Sequence, residues 1–81
     1  MKVELKFNKN RADFIKGNKW YVNEEIEELE NGEVLFKVYV ESLQEIKRWI
    51  LGFGKDVQVL EPKELKFQLI EEISELNKIY N

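Results

Sequence analysis

A protein that works by side-chain catalysis needs a nucleophile with a base beside it, or two acids facing each other across a substrate. This sequence is poor in all of these. It contains no cysteine and no histidine, so it lacks the thiolate, the commonest general base and the commonest metal ligand. Of the hydroxyl nucleophiles, Ser42 stands three residues before Glu45 and reads as the cap of a helix, while Ser74 falls within an acidic helical run. The pairs Glu24/Glu25 and Glu71/Glu72 are adjacent in sequence, so their carboxylates diverge instead of converging on a substrate. Gly52-Phe53-Gly54 fails as a phosphate loop, because a helix precedes it and a strand is expected to follow. Asn31-Gly32-Glu33 is too short for a calcium loop and suits a hairpin. We therefore expect a non-catalytic protein with no cofactor and no metal.

Binding chemistry remains. Lys6, Lys37 and Tyr39, flanked by Tyr21 and Gln58, combine cations with aromatic rings on positions expected to face away from a helix-covered core. That combination resembles the sheets on which single-stranded nucleic acids stack their bases. It points to a nucleic-acid or nucleotide effector, against which stand Glu4 on the same face and a net charge of −3. A second candidate surface lies on the last helix. There Phe67, Ile70 and Ile79 lie outside the main apolar stripe and suggest contact with a second copy, with a two-fold homodimer as the expected form.

The elements that must position these residues follow from periodicity. Val3, Leu5 and Phe7 alternate with polar residues, as in a half-buried strand. Asn8 or Asn10 caps a short helix containing Ala12, Phe14 and Ile15, which Gly17 ends. A second strand is expected over Lys19 to Leu29, beginning with Trp20-Tyr21-Val22. Asn31-Gly32 then marks a hairpin, since both residues tolerate positive φ. The third strand is Val34 to Val40, with Val34, Phe36, Val38 and Val40 facing the core. A helix follows with Leu43, Ile46, Trp49, Ile50 and Phe53 at spacings of three and four, closed by Gly52 and Gly54. Val57 and Val59 belong to a fourth strand. Pro62 fits the first turn of a last helix whose stripe is Leu65, Leu69, Ile73, Leu76 and Tyr80. The order β-α-β-β-α-β plus a helix is an α+β fold of ferredoxin-like type.

The chain of 81 residues accommodates one domain, residues 1–81, without repeat or linker. Hydrophobic residues make up 43% of it, which argues against disorder and permits a packed core. The start of the sequence lacks the apolar run of a signal peptide, and no segment is long and apolar enough to span a bilayer. A cytoplasmic location without membrane contact is the expectation.

From Leu43 onward a longer pattern emerges, which the Asn31-Gly32 hairpin and the Trp20 strand also fit, so that it covers nearly the whole chain. Glu45 to Gly54, followed by Val57-Gln58-Val59-Leu60-Glu61-Pro62 and a helix ending near Tyr80, resembles the C-terminal extension, or WCX domain, of WYL-domain bacterial transcriptional regulators. Trp49, Gly52, Gly54 and Pro62 carry the motif. The resemblance implies a regulatory module that supports dimerisation and effector sensing, set after a helix-turn-helix and a WYL domain. Neither of those is in this chain, so it is expected to be a piece of a larger protein. A free-standing protein-interaction or small-ligand-binding domain of the same fold is the alternative.

Overall fold

In the computed structural model, which describes residues 1–81, the elements run β1 (Lys2–Phe7), α1 (Lys9–Lys16), β2 (Glu25–Glu28), β3 (Val34–Tyr39), α2 (Leu43–Leu51), β4 (Val57–Glu61) and α3 (Lys63–Tyr80). The strands form one antiparallel sheet in the order β2-β3-β1-β4. This is a mixed α+β domain of two layers, with β1 and β3 central. The alternation in β1 and β3 sends Val3, Leu5, Phe7, Val34, Phe36 and Val38 into the core, all essentially without solvent contact. Ala12 and Ile15 of α1, Leu43, Ile46 and Ile50 of α2, Val59 of β4, and Leu65 and Leu69 of α3 complete the same cluster.

Local chemistry starts and stops the elements much as the residue types require. The Asn8 side chain accepts the Asn10 N–H and caps α1, and the Gly17 N–H closes it onto the Asp13 carbonyl. Ser42 Oγ accepts the Gln44 N–H at the start of α2. The hairpin uses a three-residue loop. The Gly32 N–H donates to the Leu29 carbonyl and the Leu29 N–H to the Glu33 carbonyl. Only Gly32, at φ 86°, takes positive φ. Asn31 instead accepts the Glu33 N–H with its side chain, so the turn is not the two-residue form in which both central residues are left-handed.

Two further expectations need correction. The segment Trp20-Tyr21-Val22 is not a strand, and β2 is confined to Glu25–Glu28. Glu24 Oε1 accepts the N–H groups of both Trp20 and Tyr21, at 2.7 and 2.8 Å, which curls the segment into a turn and directs the Trp20 ring inward. Trp20 Nε1 then donates to the Ile15 carbonyl. Second, Pro62 lies just outside α3 as its N-cap, and its carbonyl accepts the N–H groups of Leu65 and Lys66. Gly52 ends α2 as expected, in an ordinary helical conformation. The left-handed exit is made by Gly54 alone, at φ 59°.

The inward rings meet at Trp49. Its indole lies within 5.1 to 5.9 Å of Phe53, Phe36, Trp20, Tyr21 and Phe7, centroid to centroid. Three of these pairs are edge-to-face and two are tilted, and edge-to-face contact suits the ring quadrupoles. Trp49→Ala should therefore lower unfolding free energy by about 3 kcal/mol, since the indole keeps some exposure, and Trp49→Phe by much less. Urea denaturation of the two variants checks this. Equal losses for both would show that the ring edge contacts contribute little.

Candidate functional site

The register of the sheet defines its uncovered face. Lys6 stands opposite Leu35 of β3 and Gln58 of β4. Lys37 stands opposite Glu4 and Glu25, and Tyr39 opposite Lys2. Because residues opposite one another in a ladder point the same way, Lys6, Lys37, Tyr39 and Gln58 share the face away from the helices. The Tyr39 side is well exposed, at 58%. The lysines are already engaged, however: Lys37 Nζ lies 3.9 Å from Glu4 Oε1, and Lys6 Nζ 3.8 Å from Glu33 Oε1. Glu25 and Glu27 line a shallow depression with Leu35 and Lys37 at the β2 edge. An approaching phosphate would meet paired cations bordered by carboxylates.

Tyr21 does not belong to this face. Its ring packs on Phe36 and Trp49, on the helix-covered side. Burial pushes its hydroxyl pKa up, and the carboxylate of Glu45 adds to the rise. The residue is a wall of the core, and the sequence misplaced it together with the strand it was assigned to.

α3 packs on β4 and α2, with Leu65 and Leu69 in the common core and Glu72 reaching Lys47 of α2 at 3.3 Å. It therefore joins the helix layer and leaves the other sheet face uncovered. Phe67, Ile70 and Ile79 are all exposed, but they do not form one surface. Ile79 follows Ile70 by nine residues, which at about 3.6 residues per turn places them on opposite sides of the helix. The continuous apolar edge is the main stripe itself. Ile73, Leu76 and Tyr80 extend the Leu65-Leu69 stripe, yet are 56%, 42% and 85% exposed. Under the inner side of Ile73 and Leu76 runs a cleft of about 350 Å³. Periodicity found the stripe. It carried no signal for where the body beneath the helix ends.

The motif residues serve the scaffold. Gly54 opens a single 3₁₀ turn, Gly54–Asp56, that carries Asp56 to the start of α1. There the carboxylate accepts from Asn8 Nδ2 at 2.9 Å and from Arg11 Nε at 3.3 Å, while the Asn8 N–H donates to the Asp56 carbonyl. The Asn8 hydrogen bond first, then those from Asn10 and Arg11, hold the Asp56 pKa below its ordinary value. Lys16 and Glu28 tie α1 to β2 at 2.7 Å, and their hydrogen bond lowers the Glu28 pKa and raises that of Lys16. No group of three or more metal-binding side chains is brought together, and no helix is long and apolar enough to cross a membrane.

A four-stranded antiparallel sheet under three helices, with extended surfaces as its prominent features, defines a small two-layer α+β domain. The chain belongs to the WCX domain family, whose model matches residues 1–76. Membership is consistent with a regulatory C-terminal module of WYL-type regulators. No curated protein matches the chain.

The Asp56 contacts predict an acid-sensitive link. Because the folded-state pKa is depressed, its contribution is present above the unfolded value of about 3.9 and is lost as pH falls through the folded value. Asp56→Asn should be less stable than the parent near pH 7, and the gap should close toward pH 2. Urea midpoints measured across that range check this; a gap that stays constant would show that the carboxylate charge is irrelevant.

Proposed function

We propose that this chain is a non-catalytic regulatory module of a WYL-family helix-turn-helix transcriptional regulator, and that it acts chiefly by assembly. The parent's WYL and helix-turn-helix domains are its partners in the same chain, and a second copy is its partner across a two-fold axis. The strand order, with both crossover helices on one face, supports assigning the domain to the ferredoxin-like group.

One observation carries the assembly reading. The stripe that seats Leu65 and Leu69 continues as Ile73, Leu76 and Tyr80 beyond the supporting body. Three large side chains in a row on a helix edge form the kind of contiguous apolar patch that marks an interface. Phe67 and Ile70 lie on the outer side of the same helix and are available to a different neighbour.

A second reading assigns effector contact to the sheet face, and the placement of Lys6, Lys37, Tyr39 and Gln58 on that one face favours it. A single-stranded nucleic acid or nucleotide there would have to displace Glu4 and Glu33 from the lysines. Its binding should therefore be weak and strongly salt-dependent. The paired charges weigh toward assembly as the primary role.

Sedimentation equilibrium of the chain tests the assembly reading. The parent is expected to dimerise, and Leu76→Glu with Tyr80→Ser should weaken the dimer at least tenfold with an unchanged circular dichroism spectrum. A parent that stays monomeric at millimolar concentration would overturn it. For the sheet face, an amide NMR titration with a short mixed-sequence single strand should move Lys6, Lys37 and Tyr39 at low salt, and the double substitution Lys37→Ala, Tyr39→Ala should abolish the shifts. Unchanged affinity in that double variant would sink the effector reading.

A further inference from the structure

The cleft beneath α3 has the build of a small-ligand site. Its volume, about 350 Å³, falls in the range of such pockets. Its walls are apolar on three sides: Leu51 at the end of α2, Val57 and Val59 of β4, and Ile73 and Leu76 of α3. No carboxylate lines it, and the one charged lining residue is Lys55. Lys55 is exposed and, like Lys2, Lys9, Lys19, Arg48, Lys63 and Lys66, takes part in no ion pair; it is the only one of these free cations that borders the cleft. On its other side Lys55 borders a polar depression with Glu33 and Asp56. Those acids are held by Lys6 and by Arg11, so the ammonium group at the rim stays free.

From these features we infer that the cleft binds a small amphiphilic carboxylate, its hydrocarbon tail between β4 and α3 and its carboxylate against Lys55. Charge complementarity selects the anion, because an apolar trough with one unpaired cation at its rim offers nothing to an ammonium head. Size selects a small molecule over a second copy. A helix with its side chains is about 10 Å across and does not enter a space of this volume. A partner helix therefore rests on the outer edge, at Leu76 and Tyr80, while the ligand lies inside. The inference stands apart from the assembly reading, since a single chain contains the whole cleft.

Methyl and amide NMR titrations of the 81-residue chain with hexanoate, octanoate and decanoate, kept below their micelle concentrations, test it. Saturable shifts are expected at Leu51, Val57, Val59, Ile73 and Leu76. Affinity should rise about fourfold per added methylene, the ratio that burying one such group gives, and level off once the cleft is full. Octylammonium should bind at least tenfold more weakly than octanoate. Lys55→Met, a change at an exposed position that leaves the core alone, should remove that preference and keep the dependence on chain length. Absence of saturable shifts with decanoate, or equal affinity for octylammonium and octanoate in the parent, would overturn the proposal. Sedimentation of the same samples separates the two readings: a monomer that binds octanoate upholds the cleft and sinks the dimer, and a dimer indifferent to octanoate does the reverse.

Discussion

The indole of Trp49 is the constraint on which the rest of this domain depends. A chain of this length buries only roughly 60% of the surface its unfolded form exposes, so its core must gain a great deal from few residues. Aromatic rings bury about 150–250 Å² each. By placing one at the C-terminal half of α2, the sequence lets β1, β3, the Gly54 turn and the Trp20-Tyr21 segment share a single contact point. Phe14 of α1 joins from outside through Trp20 and Phe53. The layers are thus held together at one end by rings and at the other by aliphatic side chains from β4, α2 and α3.

That arrangement also decides the edges of the sheet. Drawing Trp20 and Tyr21 inward leaves only four residues for β2, three of them glutamates. A short, charged strand is a poor template for pairing with another chain, so the β2 edge is protected. The β4 side differs. There the boundary is apolar, and α3 lies over it without closing it. The molecule therefore has an acidic edge at β2, shortened by the inward turn of Trp20 and Tyr21, and an apolar side between β4 and α3, set by the stripe on α3.

Strands β1 and β3 were legible in the sequence because alternation is a local signal that one buried face imposes on every second residue. The cap at Ser42, the choice of Asn8 or Asn10 for α1 and the stop at Gly17 were legible for the same reason: each is settled within about four residues. The second strand was not. Trp20-Tyr21-Val22 has high strand propensity, but Glu24 captures its N–H groups and Trp49 its rings, and tertiary contact outweighs propensity. Tyr21 was lost from the sheet face by that route, while Lys6, Lys37, Tyr39 and Gln58 kept their places because their strands were read in the right phase. On α3 the period was right, but a period carries no depth. A stripe from Leu65 to Tyr80 looks uniform in sequence, and only the extent of β4 and α2 determines that it is buried at Leu69 and exposed at Ile73.

The unsupported half of α3 has an energetic consequence. Eleven residues follow Leu69 in this helix, and isolated helices shorter than about 12–15 residues are marginal in water. What holds this stretch is a continuous backbone ladder with the docked half, the Lys47–Glu72 pair, and exposed pairs such as Glu75 with Lys78. Exposed ion pairs of this kind are worth less than about 1 kcal/mol each. Burying Ile73, Leu76 or Tyr80 is worth more, about 1.5–3 kcal/mol for a large apolar side chain taken fully out of water. Whatever covers this edge would thus stabilise the end of the helix as well as its own contact. Because the helix is already formed as far as Tyr80 in the single chain, that gain adds to the contact without new turns having to be ordered, and affinity at the edge is set by the apolar area that is covered.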